Sequence, residues 1–145
     1  MTTHTLTAPD TLLRKALRAN SAFSLASGLL LTFAAASIAS FLGIEETSIF
    51  DGFDGTALVR VVGIGLIGYA LLLYFFTQHS EITPMQGMEA VIADGAWVVG
   101  SVVLLLTDWL PLTSAGSWAI LLVADVVLVF AIVQYIGVRR IKQGA

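Results

Sequence analysis

The sequence predicts an all-α fold, a membrane four-helix bundle made of two tandem parallel-repeat helical hairpins. Three observations support this prediction: a strongly apolar composition, four apolar segments of membrane-spanning length, and a similarity between the two halves of the chain. Hydrophobic residues make up 57% and charged residues 12% of the 145 residues, and the mean hydropathy is +0.91, whereas soluble domains carry about 25% charged residues. We therefore expect one integral membrane domain over residues 1–145.

The apolar segments cover residues 19–42, 57–76, 91–106 and 118–138. Each is close to the roughly 20 residues with which a helix crosses a hydrocarbon core of about 30 Å. The segments do not alternate in polarity, and lipid admits only helices or closed barrels. With their flanks, the predicted helices cover approximately residues 10–42, 55–79, 84–108 and 114–141.

Capping residues mark the start of each predicted helix. The clearest is Thr83-Pro84-Met85-Gln86, which has the spacing of a capping box with proline at the first helical position. The other candidate caps are Asp10 for the first helix, Asp54 or Thr56 for the second, and Thr113 or Ser114 for the fourth.

Six of the seven basic residues predict one orientation in the membrane. Arg14, Lys15 and Arg18 precede the first segment, and Arg139, Arg140 and Lys142 follow the fourth. The positive-inside rule therefore predicts that both termini are cytoplasmic. Basic residues followed by an apolar run and the small residues 34–40 are also typical of a cleavable leader, but the repeat described next favours a structural helix.

The two halves resemble each other when the chain is shifted by 74 positions. Residues 19–31 then lie over residues 93–105 with five identities, and Asn20 lies over Asp94. A shift of 61 places Tyr69 on Phe130 and Tyr74 on Tyr135. Since the first and third segments run in the same direction, the halves are predicted to be parallel repeats about an axis along the membrane normal. The alternative is chance similarity between apolar helices.

Polar residues within the segments are the candidate site. Ala90, Asp94, Trp97 and Ser101 follow helical spacing, and the repeat predicts that Asn20 approaches Asp94. One interpretation is a small-molecule or proton site with an aromatic wall. The other is a set of hydrogen bonds that holds the helices together.

Arg60 and Asp125 are further intramembrane charges, in the second and fourth segments. Charges at such depth normally face the bundle interior and have partners. We expect a buried Arg60–Asp125 pair that either fixes how the hairpins dock or controls a pathway or ligand. Alternatively, Arg60 extends to the outer head groups and leaves Asp125 protonated or hydrated.

Several function classes lack the residues they need. The chain has no cysteine, and its only histidines are His4 and His79, so we expect no metal site and no cofactor. The net charge of −3 does not fit a nucleic-acid surface. The glycines of residues 63–68 lack the strand context of a dinucleotide site.

The segment Ala93–Ser101, with the closing segment Gln134–Arg140, resembles a group of small bacterial four-helix membrane proteins with no assigned function. The likeness extends from Leu17 onward. In size and helix count the chain is more distantly similar to DoxX-like membrane proteins. The resemblance implies a bacterial inner-membrane location, and it offers no catalytic residues that could be carried over to this chain.

These observations favour a non-enzymatic membrane protein that binds a lipid or hydrophobic small molecule, or that is an accessory subunit of a larger complex. The expected partners are membrane lipid, a second copy of the chain or a membrane complex, and not nucleic acid. The alternative is a small proton-coupled transporter or channel that uses Asp94 and Asp125. A membrane enzyme acting on a lipid or quinone would need an acid, base and nucleophile around one cavity, which the sequence does not suggest.

Overall fold

The computed structural model describes residues 10–144, and His4 lies outside them. The elements, in chain order, are α1 (Thr11–Phe33), α2 (Ala35–Leu42), β1 (Ser48–Phe50), β2 (Phe53–Asp54), α3 (Gly55–Phe76), α4 (Pro84–Thr107) and α5 (Ser114–Lys142). Within this range the only sheet is the short antiparallel hairpin of β1 and β2, so the all-α prediction is confirmed. The last three helices begin and end within three residues of their predicted bounds.

The first predicted helix, residues 10–42, is corrected by the structure. It is broken after Phe33, and α2 leaves the axis of α1 at 91°. The junction residue Ala34 has φ −106° and ψ 26°, which is outside the helical region. Neither glycine nor proline marks the position, so the apolar pattern carries no signal of the break.

Burial of one face holds α2 crosswise. Ala35 and Ala39 are 1% and 0% exposed and pack with Ile44, Val59 and Leu110. The end of α2 is fixed by the loop before α5, because Thr113 donates from its backbone N–H to the Leu42 carbonyl (2.9 Å) and from Oγ1 to the Phe41 carbonyl (2.8 Å).

Three predicted caps are confirmed. Thr83 and Gln86 form the reciprocal capping box of α4, with Pro84 at its first position. Asp54 accepts from the Ala57 N–H at the start of α3, and Thr113 accepts from the Gly116 N–H at the start of α5. Asp10 precedes α1 without a side-chain cap.

The Asp10 side chain instead belongs to a group of polar contacts at the end of the bundle, here called the Arg14 clamp. Arg14 donates to Asp10 Oδ2 at 2.6 Å and to the carbonyls of Thr77, His79 and Ser80 at 2.6, 3.0 and 3.0 Å. Asp10 Oδ2 also accepts from the Ile82 N–H at 3.1 Å. The clamp therefore ties the start of α1 to the α3–α4 loop.

The long helices pack in two pairs. α1 lies along α3, α4 lies along α5, and the contact of α1 with α5 joins the pairs, whereas α3 and α4 touch only marginally. Gly137 allows this joining contact, because a Cβ there would lie 3.0 Å from the Leu13 backbone. The pairs correspond to the two predicted hairpins, and their relation as repeats stays a prediction.

Length and composition identify the helices that could cross a membrane. α3, α4 and α5 each meet the requirement, and the bent pair of α1 and α2 would be a fourth if counted as one span. Large apolar side chains are exposed along all of them, including Leu30, Ile64, Val99 and Val129 at 56%, 56%, 63% and 59%. Such extensive apolar exposure is compatible with a lipid environment.

Candidate ligand-binding site

Four long helices each contribute a polar side chain to a buried cluster around one carboxylate, here called the Asp94 cluster. Asn20 of α1 donates from Nδ2 to Asp94 Oδ2 at 2.7 Å, and Gln134 of α5 donates from Nε2 to the same oxygen at 3.0 Å. Tyr69 of α3 donates from its hydroxyl to Asp94 Oδ1 at 2.8 Å. Ser24 completes the cluster, since its hydroxyl donates to Asn20 Oδ1 at 3.2 Å.

The Asp94 cluster is almost fully shielded from outside. Asp94, Asn20 and Gln134 are 3%, 1% and 0% exposed. All three donors to the carboxylate are neutral groups. Within residues 10–144 the ion pair is that of Asp10 with Arg14, so Asp94 has no cation beside it. An acceptor surrounded by three donors matches the ionised carboxylate, which can only accept hydrogen bonds.

A cavity of about 830 Å³ adjoins the cluster. Asn20, Tyr69 and Asp94 line it at the end nearer the chain termini, whereas Phe41 of α2 and Leu112 line its opposite end. The intervening walls are almost entirely apolar and come from α1, α3, α4 and α5. The lining residues of α1 run from residue 20 to residue 31. At the helical rise of 1.5 Å per residue, the cavity therefore extends about 16 Å along the bundle. It combines a polar end with an apolar body.

Trp97 lies in the wall of the cavity one helical turn beyond Asp94. Its Nε1 is buried and has no hydrogen-bond partner in the described part of the chain. Phe23, which also lines the cavity, packs against Phe130 with ring centroids 5.7 Å apart. The site therefore has an aromatic wall that contains one unused hydrogen-bond donor.

The cavity is accessible from the side. Its lining residues Leu30, Gly65 and Gly100 are exposed. A Cβ built at Gly65 or Gly100 meets no atom within 4 Å. A side chain at either position would have room to occupy the cavity.

The structure brings together some predicted site residues and separates others. Asn20 and Asp94 make the predicted contact, and Trp97 lines the adjoining cavity. Arg60 and Asp125 are both exposed, and the buried pair predicted between them is not formed. The physical reason is helix rotation, because the adjacent residues Val59 and Ala124 hold the inward positions of α3 and α5.

Sequence reasoning missed Tyr69 and Gln134 as partners of Asp94. Gln134 offered a signal, since a glutamine inside an apolar helix usually has a polar partner. Tyr69 was identified only through its alignment with Phe130. No group of three or more His, Asp or Glu residues that could hold a metal ion occurs in residues 10–144.

No family model, curated protein or solved structure matches this chain.

Proposed function

We propose that this chain is a non-enzymatic integral membrane protein that binds a lipid or another hydrophobic small molecule in the cavity beside the Asp94 cluster. The cavity itself carries the proposal. Its volume of about 830 Å³ falls within the range of small-molecule sites, about 300–1,000 Å³. Apolar walls with a few convergent polar groups at one end suit an amphipathic molecule.

The proposed placement is a four-span bundle in the bacterial inner membrane with both termini in the cytoplasm. α3, α4 and α5 would be three spans, and the α1–α2 pair the fourth. The basic residues Arg14, Arg18 and Arg139 lie at the end of the bundle that would face the cytoplasm. The cavity would then lie toward the outer leaflet, with its side entrance open to acyl chains.

Native mass spectrometry after gentle extraction tests the proposal. We expect a retained small molecule on the unmodified protein and its loss in Gly65→Leu, because Gly65 lines the cavity and a Cβ there meets no atom within 4 Å, so the added side chain is expected to occupy part of the cavity. Gly68→Leu is the matched control, since Gly68 is also an exposed glycine of α3 with open space around it but does not line the cavity. Equal retention by both variants, or no retained molecule on the unmodified protein, would contradict the proposal.

A second candidate role is as a subunit of a homo-oligomer or larger membrane complex, and exposed Asp125 favours it. This residue lies about 16 Å along α5, where an isolated carboxylate facing lipid costs roughly 2.5–3.5 kcal/mol. A partner that contacts this face would shield the charge. Asp125→Asn is then expected to change the oligomeric state measured by native mass spectrometry. An unchanged monomer in both proteins would count against this role.

Proton-coupled transport through both carboxylates has less support. Asp94 lines the cavity, whereas Asp125 does not. A proton-coupled flux into proteoliposomes that decreased in both Asp94→Asn and Asp125→Asn would nevertheless support transport.

A further inference from the structure

We infer that the cavity binds a cationic amphiphile, whose ammonium group pairs with Asp94 and whose apolar chain lies along the cavity. This inference rests on the proposed binding function and specifies the class of ligand. It follows from charge, from unused hydrogen-bonding capacity and from the length of the cavity.

The charge of Asp94 is not balanced within the described chain. Its three donors are two amides and a hydroxyl. Six of the seven basic residues lie before the first apolar segment or after the fourth, and Arg60 is exposed. A buried charge without a counter-charge costs several kcal/mol. A bound cation would remove much of this cost, whereas a neutral or anionic head group would not.

Around Asp94 there are also more hydrogen-bond acceptor positions than donors. An ionised carboxylate offers about four acceptor positions, and the three donors leave one of them open, on Oδ1. Gln134 Oε1 is a second acceptor, fully buried and without a partner in the described residues. The cluster therefore has acceptors in excess of donors. Since Gln134 does not line the cavity, an ammonium ion bound there would donate to the open position on Asp94 Oδ1.

The aromatic wall suits the same head group. Trp97 and Tyr69 line the cavity beside Asp94, and aromatic rings attract cations. Trp97 Nε1 is a donor without a partner, about 4.5 Å beyond Asp94 along α4. The aromatic rings of Trp97 and Tyr69, rather than the buried Trp97 Nε1, would therefore be the groups that contact the ammonium.

The length of the cavity indicates an acyl-type chain. The lining extends about 16 Å along the helices, which is close to half of a hydrocarbon core of about 30 Å. A single chain that is normally accommodated in one leaflet would therefore fit along the apolar body.

Binding of dodecylamine and dodecanol to the full-length protein in non-ionic micelles compares a cationic with a neutral head group on the same chain. Trp109→Phe and Trp118→Phe make Trp97 the only tryptophan, and both replaced residues are exposed, at 64% and 66%. Fluorescence of Trp97 then reports occupancy of the cavity. We expect the amine to bind about tenfold more tightly or better, since charge-assisted hydrogen bonds are roughly twice as strong as those between neutral groups.

Variants separate the head-group inference from the binding function. Asp94→Asn is expected to bring the two affinities together, while Asp125→Asn leaves the preference intact. Equal affinities in the unmodified protein overturn the cationic inference regardless of how Asp94→Asn folds. If the two affinities were equal and Gly65→Leu abolished the fluorescence change with both dodecylamine and dodecanol, the cavity would remain a hydrophobic binding site. Failure of both molecules to bind overturns the cationic inference, and the binding function then depends on the native mass spectrometry result.

Discussion

The Arg14 clamp and the Asp94 cluster each contain a buried carboxylate, but only the carboxylate of the clamp has a cationic partner. Asp10, 7% exposed, contacts a guanidinium at 2.6 Å, and that guanidinium also binds three loop carbonyls. Asp94, 3% exposed, is held by neutral donors and adjoins a cavity. In the clamp the charges are paired within the chain, so the group fastens two segments. In the Asp94 cluster no cation of the described residues pairs with the carboxylate.

The largest effect is expected from Arg14→Gln. The substitution removes the ion pair and the contacts with the α3–α4 loop, leaving Asp10 without its cation. We expect the free energy of unfolding in detergent to fall by about 2–4 kcal/mol. Lys15→Gln is the control, because Lys15 is an exposed basic neighbour. Equal losses in the two variants would show that the clamp does not hold the loop.

A smaller effect is expected from Asp94→Asn. The asparagine keeps the shape of the side chain and one acceptor oxygen, and Tyr69 can donate instead to the Ala90 carbonyl, 3.3 Å away. We expect a net change of about 1 kcal/mol or less, because the weaker hydrogen bonds are offset by the removal of a buried charge that has no counter-charge. The measurement is the same unfolding titration. A loss as large as that of Arg14→Gln would mean that Asp94 too is chiefly a fastening group, and the contrast between the clusters would fail.

The smallest effect on stability is expected from Trp97→Phe. Because Nε1 has no partner within residues 10–144, its removal costs no hydrogen bond of the described fold, and the phenylalanine keeps an aromatic ring in the wall. We expect unfolding to change by about 0.5 kcal/mol or less, while retention of the bound molecule in native mass spectrometry decreases. A marked loss of stability with unchanged retention would assign Trp97 to packing.

The sequence predicted these regions unequally. Helix starts at Thr83 and Thr113 depend on local hydrogen bonds that short motifs encode, so they were predictable. The contact of Asn20 with Asp94 was predictable because the shift of 74 positions places the two at equivalent points. The first prediction used information within a helix and its flank, and the second used the similarity between the two halves of the chain.

What the sequence did not predict depends on contacts between helices. The bend at Ala34 is set by the packing of α2 on residues distant in the chain, including Leu110. The outward direction of Arg60 and Asp125 is set by the rotation of α3 and α5, whereas depth in the apolar segment was the only guide from sequence. The depth of a residue within an apolar segment determines neither the rotation of its helix nor the partner of its side chain.

If the chain binds a small molecule as proposed, the crosswise α2 would affect how that molecule reaches the cavity. Residues Ile38, Phe41 and Leu42 of this short helix line the far end of the cavity. In the proposed membrane placement they would obstruct the direct route from the aqueous phase, and exchange would take place sideways through the bilayer. Occupancy of the cavity would then depend on the mole fraction of the bound molecule among the neighbouring lipids rather than on its concentration in water. Occupancy should follow membrane composition, so a scarce but strongly partitioning amphiphile could saturate the protein.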